Sequence, residues 1–450
     1  MSRLARRASP WLSLALTHAK TRGARRWLAE RRRRLAGAPH RVRYFHQADD
    51  PYSHLAAQVL GRFAARYDVV LEPHLVGPPP DEAAPERERL EGFARKDAAD
   101  VAPYYGLDFP AAAAAPDPAA ADLAARMLLA ARAAGRFVEE APRVGAALWQ
   151  GDRAALESLA AELPPAHPEA TRLALAEGSA LRRRTGHYLG AMFHYAGEWS
   201  WGVDRLGHLE RRLQALGAIR AGQPKDPLVP RPEPEKRPAP ASGRRLRLEF
   251  FPSLRSPYTA IAMRRVRGLA ERLPVDLVWR PVLPMVMRGL PVPAAKRLYI
   301  VLDTKREAED AGEPFGRVCD PVGRPVERAF SLYPWACAQG RGAELLAAFT
   351  QAAFAEGVDT GTDAGLRQVV ERAGLSFAEA RAHLDGEGWR EALEENRRVL
   401  FENGLWGVPS FRLLGQGGEP DFCTWGQDRI WRVEEEIRRR LARGPGEAGP

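Results

Sequence analysis

Ser256 stands at a junction that invites chemistry. The stretch "FFPSLRSPYTAIA" (250–262) runs from an apolar, strand-like segment through a proline into Ser-Pro-Tyr, where helical apolar spacing begins. Ser followed by Pro is a favoured N-cap and first-turn pair. The same position offers more than a cap. A helix N-terminus presents backbone N–H groups and a positive dipole end, which favour a bound anion. A hydroxyl there serves equally as a cap or as a group pointed at a substrate, and the sequence at this junction leaves both open. Two later motifs carry further candidates: "WGVPSF" (406–411), with Val408 and Pro409 at a strand start, and "WGQDRI" (425–430), with Gln427 and Asp428 opening the last helix. Lys296 lies in "PAAKRLYIVLD" (293–303). Each has a structural alternative: Ser256 as a plain cap, Pro409 as an ordinary strand-edge feature, Asp428 as a cap paired with Arg429 or Arg432, Lys296 as surface charge.

Other chemistries find less support. Cys319, Cys337 and Cys423 include no Cys-x-x-Cys pair, and their sparse, odd count suits a reducing cytoplasm. His46, His54, His187, His194 and His208 are scattered near Asp49 and Asp50 without metal-ligand spacing, so no metal is expected.

The elements that must position these residues come in two sets. Residues 218–243 are dense in Pro and charge and read as an extended linker. The flanking halves resemble each other: "RVRYFHQADDPYSHLAAQ" in the first sits over "RLRLEFFPSLRSPYTAIAMR" in the second, and "WGVDRLGHLERRL" (201–213) over "WGQDRIWRVEEEI" (425–437). Landmarks at both ends of each half indicate duplication. In the second half, 342–358, 363–375 and 376–385 carry helical spacing, the last with a Ser cap and Glu three residues on. "GLWGVPSFRLLG" reads as strand, and a closing helix runs from about Arg429 to Arg443. The order is β-α-β, helices, a β-rich segment and α, an α/β thioredoxin-like fold with an inserted helical subdomain, present twice. The expected division is a basic extension (1–40), a degenerate domain (41–217), the linker (218–243) and a second domain with the site (244–443).

At 450 residues, two cores are the natural prior. The net charge of +10 is local: residues 1–40 hold 11 of the 67 basic groups and one of the 57 acidic ones, so the rest balances. No nucleic-acid partner is expected of a neutral body. The extension reads as a solvated basic helix able to touch an anionic membrane surface. No run approaches the roughly 18 apolar residues of a spanning helix.

The ordered set "FFPSLRSPYTA", "PAAKRLYIVLD", "WGVPSF" and "WGQDRI", over roughly 244–440, resembles the DsbA-like thioredoxin superfamily, and within it 2-hydroxychromene-2-carboxylate isomerase and kappa-class glutathione transferase. The resemblance implies glutathione as cofactor, with its thiolate held by Ser256 and Pro409 in cis beside the ligand-pairing backbone of Val408. It further implies that Gln427 and Asp428 take the γ-glutamyl end and that Lys296 attends a carboxylate. It implies an isomerase or transferase acting on a small aromatic-derived, anionic electrophile, with Trp406, Tyr258 and Phe411 as walls. Disulfide exchange is closed off, because Ser256 stands where such enzymes carry the attacking Cys. There are departures: the family's Asp three residues before the serine is Ser253 here, its loop Asn has no counterpart around Met287–Pro291, and Arg255 precedes the serine. In the first half Asp50 replaces the serine and Ala191 falls roughly where the proline would be. That half is expected to be catalytically dead and to serve as an internal pseudo-dimer partner. The competing reading is a non-catalytic scaffold that binds a peptide or protein.

Overall fold

The computed structural model describes residues 3–233 and 243–442. Two four-stranded mixed sheets organise it. The first contains β1 (Arg41–His46), β2 (Val70–Leu75), β3 (Met192–Tyr195) and β4 (Glu198–Trp201), in the order β2-β1-β3-β4. The second contains β5 (Leu246–Phe251), β6 (Val275–Trp279), β7 (Ser410–Leu413) and β8 (Phe422–Trp425), in the order β6-β5-β7-β8. In each, the first pair is parallel and the others antiparallel. The chain is therefore an α/β protein with two sheets of one topology, as two tandem thioredoxin-like domains require.

Helices fill in around them. The N-terminal extension forms α1 (Arg3–Thr17) and α2 (Ala19–Leu35). In the first half, α3 (Pro51–Arg66) crosses from β1 to β2, an insertion follows as α4 (Arg87–Val101), α5 (Pro118–Ala133), α6 (Phe137–Gln150), α7 (Arg153–Glu162) and α8 (Pro168–Arg184), and α9 (Leu206–Ala215) closes. In the second, α10 (Pro257–Arg272) makes the crossing. The insertion is α11 (Ala294–Ala311), α12 (Arg324–Ala338), α13 (Gly342–Gln351), α14 (Asp363–Arg372), α15 (Phe377–Ala380) and α16 (Trp389–Glu402), and α17 (Ile430–Ala442) closes. The segment 376–385, expected as one helix, is the short α15 followed by a tight turn over Arg381–His383, with Ser376 capping Glu379 N–H as its spacing predicts.

Each crossing helix is oriented by its sheet. Strand residues Val42, Tyr44 and Phe45, and Leu246, Leu248 and Phe250, are fully buried. On the helices, Leu55, Val59 and Phe63 in α3 and Ala262, Val266 and Leu269 in α10 recur three or four residues apart and are buried as well. At about 25 cal/mol per Å2 of apolar area, such side chains contribute roughly 1.5–3 kcal/mol each. That holds the N-terminus of each crossing helix at the end of its first strand.

The chain divides into two compact units, Gly23–Pro232 with Pro293–Tyr299, and Met1–Arg22 with Glu233–Val292 and Ile300–Pro450. In the second unit, α1 is fastened by hydroxyls at i, i+4 spacing. Ser9 Oγ donates to the Val318 carbonyl at 2.9 Å, Val318 N–H donates to Ser13 Oγ at 2.8 Å, and Thr17 Oγ1 donates to the Gly316 carbonyl at 3.1 Å. In the first unit, residues read as the start of the linker are packed. Ile219 bridges Tyr67, and Leu228, buried with Val229, donates its N–H to Glu210 at 3.1 Å. The apolar Leu-Val step and a buried acceptor hold down a stretch that proline and charge alone would leave extended. Residues 234–242 of the expected linker lie outside the described residues.

Candidate functional site

The Ser256 region assembles from three elements: the end of β5, the start of α10 and the turn into β7. Ser256 is the N-cap of α10, and its Oγ accepts from Thr259 N–H at 3.2 Å. The same Oγ donates to the Val408 carbonyl at 3.4 Å, a long hydrogen bond. The Val408–Pro409 peptide is cis, as the resemblance implies. Val408 is half-buried between the buried Gly407 and Pro409. Gly407 is required where it stands, since a Cβ there would lie 2.2 Å from the Trp425 indole. Trp425 in turn meets Trp406 edge-on at 5.5 Å. Ser253, in the place of the resembled family's Asp, buries a hydroxyl oxygen that has no partner among the described residues.

The charged residues around this junction are largely committed. Arg255 makes a two-bond fork to Asp320, both at 2.8 Å. Tyr258 OH donates to Asp303 at 2.8 Å, and Arg306 pairs with that same buried carboxylate at 3.0 Å. Gln427 is 1% exposed: its amide donates to Glu307 at 2.7 Å and accepts from Arg265 at 2.6 Å. Asp428 is also buried, 3.9 Å from Arg429.

The expected site residues therefore sort into three groups. Ser256, Val408 and Pro409 are brought together. Gln427 and Asp428 follow β8 in a buried polar network. Lys296 groups with the first unit, where its Nζ donates to the Ala83 carbonyl at 2.8 Å and faces the Tyr188 ring at 6.0 Å. Burial lowers the Lys296 ammonium to about 8.

The first half repeats the scaffold and fills the opening. Tyr52 OH donates to Asp97 at 2.8 Å, the carboxylate 45 residues on, just as Tyr258 and Asp303 stand 45 apart. Gln47 N–H reaches Ser53 Oγ at 3.2 Å, as Ser253 N–H reaches Thr259 Oγ1 at 3.3 Å. Phe45 pairs with Met192 and Phe251 with Ser410, so Ala191 and Pro409 share one place in the two sheets. Asp50 caps α3, accepting from Ser53 N–H at 3.0 Å and Ser53 Oγ at 2.7 Å. Ala191, with φ of 54°, keeps the N–H that a proline lacks and donates it to Ser53 Oγ at 2.8 Å. A Cβ on Gly190 would lie 2.9 Å from Asp50 Oδ2. Desolvation holds the Asp50 carboxyl up at about 6 against the Ser53 hydrogen bonds that lower it. Where the second half has a hydroxyl, the first has its own carboxylate plugging the helix end.

A strand-helix-strand start, a helical insertion and a closing antiparallel pair with a final helix define a thioredoxin-like domain in each half. Residues 247–438 match the family model of the DSBA-like thioredoxin domain, and the C-terminal half carries that domain. Among solved structures, one similar chain is a 2-hydroxychromene-2-carboxylate isomerase, 21% identical, covering 43% of this chain and 95% of its own, with a TM-score of 0.36. A probable DsbA oxidoreductase from Streptomyces coelicolor is 19% identical over 45% and 94%, with a TM-score of 0.35. The cytosolic disulfide reductase DsbM from Pseudomonas aeruginosa with GSH is 22% identical over 43% and 100%, with a TM-score of 0.32. No curated protein matches the sequence. No helix among the described residues is long and apolar enough to cross a membrane.

Proposed function

We propose that the second half binds glutathione at the N-terminus of α10 and acts as a glutathione-dependent isomerase or transferase of the 2-hydroxychromene-2-carboxylate isomerase kind. The observation that carries this reading is the Ser256 hydroxyl, held at the helix N-cap and lending its proton to the Val408 carbonyl over 3.4 Å. So long a bond is readily exchanged for a closer, charged acceptor. A thiolate placed there accepts a hydrogen bond from the hydroxyl and lies at the positive end of a 16-residue helix, both of which favour its charged form. The sulfur then adds to an electrophilic carbon of a small, aromatic-derived substrate. In isomerisation the adduct turns about the bond that has become single and expels the thiolate; in transfer the new C–S bond stays. Trp406 and Tyr258 are the candidate walls; Phe411, expected as a third, is 1% exposed and stacked on Phe250 at 5.2 Å in the core. Arg255 is the cation nearest in sequence for an anionic substrate. Its pairing with Asp320 means that an incoming carboxylate must compete.

Calorimetric titration of reduced glutathione, with thiolate absorbance followed against pH, tests this. Saturable binding and a lowered thiol pKa are expected in the native protein. Ser256→Asn keeps a capping side chain but no hydroxyl, and is expected to bring the pKa back up without loss of fold. Absence of binding at millimolar glutathione would sink the proposal. It would favour the second reading, a peptide- or protein-binding scaffold, for which the commitment of the Gln427 amide to Glu307 and Arg265 speaks.

A further inference from the structure

The strongest uncommitted chemistry lies in the first unit. A cavity of about 370 Å3 opens between α2, the outer face of β1 and β3, and α9. That is within the roughly 300–1,000 Å3 of small-molecule sites. Arg32, Arg33, Arg41, Arg43 and Arg212 line it, with Glu30 as its one acidic lining residue. The carboxylates in reach are shared. Glu30 serves Arg33 and Arg34, Glu72 serves Arg41 and Arg43, and Glu198 serves Arg26 and Arg212. Arg32, exposed on α2, has no carboxylate among the described residues. Seven guanidinium groups thus face three carboxylates.

Arg212 shows that the excess is directed. It is 5% exposed, and its guanidinium lies over the Tyr195 ring at 4.7 Å. Its Nη1 donates to the Tyr195 carbonyl at 2.9 Å and sits 3.1 Å from Glu198. Its buried Nε–H has no partner among the described residues. A buried donor left without an acceptor is costly, and a bound anion supplies the acceptor. His194, lowered to about 4 by burial and then by Arg43 and Arg212, is uncharged at neutral pH and adds a polar wall without repelling cationic or anionic groups.

We propose that this cavity binds a small phosphate-bearing anion, its phosphoryl oxygens taken by Arg32, Arg43 and Arg212 and its organic part set against Tyr195. Planar guanidinium forks match phosphoryl oxygens in pairs, and the surplus positive charge calls for a multiply charged group. The site is independent of the glutathione reading, which concerns the other half. The phosphate can belong to a free metabolite or to a lipid headgroup.

The test is calorimetric titration of the full chain with inorganic pyrophosphate and with ADP, and co-sedimentation with vesicles containing phosphatidic acid. Saturable binding in at least one arm is expected; the first two arms report a free phosphate, the third a headgroup. Arg32→Ala and Arg43→Ala should each weaken it about tenfold or more, as loss of a charge-assisted bond does. Arg25→Ala, which removes an exposed charge from the same helix outside the cavity, should change it by less than about twofold. Thermal melts confirm that the variants fold, and Arg32→Ala, at an exposed position, carries the test if Arg43→Ala does not. No saturable binding in any arm overturns the proposal. So does binding indifferent to Arg32 and Arg43, or equally weakened by Arg25→Ala.

Discussion

At the scale of single residues, the two halves differ by what stands at the helix N-cap. Ser256 keeps a hydroxyl with one weak acceptor, while Asp50 takes two bonds from Ser53 and is held at about 6. In an unfolded chain that carboxyl titrates near 3.9. Folding at neutral pH therefore carries the cost of keeping it ionised in place, and the cost fades as pH falls through 6 toward 4. Asp50→Asn is expected to raise the melting temperature at pH 7.5, by about 2–4 °C for each kcal/mol relieved, with the gain cut to about a third at pH 4.5. Equal shifts at both pH values would show that the carboxyl's charge is not the cause. Ser256 was legible in the sequence because Ser-Pro after a strand is a local signal. Gln427 was legible only by position. Its partners Glu307 and Arg265 lie 120 and 162 residues away, and nothing local marks an amide as internally spent. The Tyr-Asp pairs were missed, although their equal spacing in both halves was there to be read.

At the scale of elements, the turn into β7 depends on a close approach. Gly407 lets the Trp425 ring lie against the backbone just before Val408. Gly407→Ala is expected to cost about 1–3 kcal/mol, the usual range for overpacking, and to move the Val408 carbonyl away from Ser256. Chemical denaturation measures the first; loss of glutathione binding without loss of fold would report the second. The succession of strands and crossing helices along the chain follows from apolar periodicity and so was readable, whereas the order of strands within each sheet is a tertiary fact that periodicity does not carry. The docking of α1 was not readable either. Its docked stripe is the half-buried Ser9 with the buried Ser13 and Thr17, while Trp11 is 64% exposed, the reverse of the pattern by which a packed helix is recognised. The seating of Lys296 was equally hidden, since helical spacing over 294–311 does not say which half its first turn will meet.

At the scale of the whole molecule, the halves are expected to differ in their response to acid. Burial lowers His46 to about 3 and His54, His74 and His194 to about 4. All four lie within residues 41–217, whereas 244–442 carry one histidine, His383. An unfolded histidine gains its proton near 6.5. The stability these neutral rings contribute is thus complete above pH 6.5 and is lost as pH falls toward 4. Hydrogen exchange at pH 7 and pH 5 should show protection of 41–217 falling further than that of 244–442; parallel loss would refute this. The seating of α1 has a consequence in time. Ser13 meets Val318 across 305 residues of chain. A ribosome adding roughly 5–20 residues per second delivers that partner on the order of 15–60 s after the helix itself is made. A helix made that far ahead of its partner must wait for it, and during that interval the hydroxyls of Ser13 and Thr17, buried in the folded chain, face water.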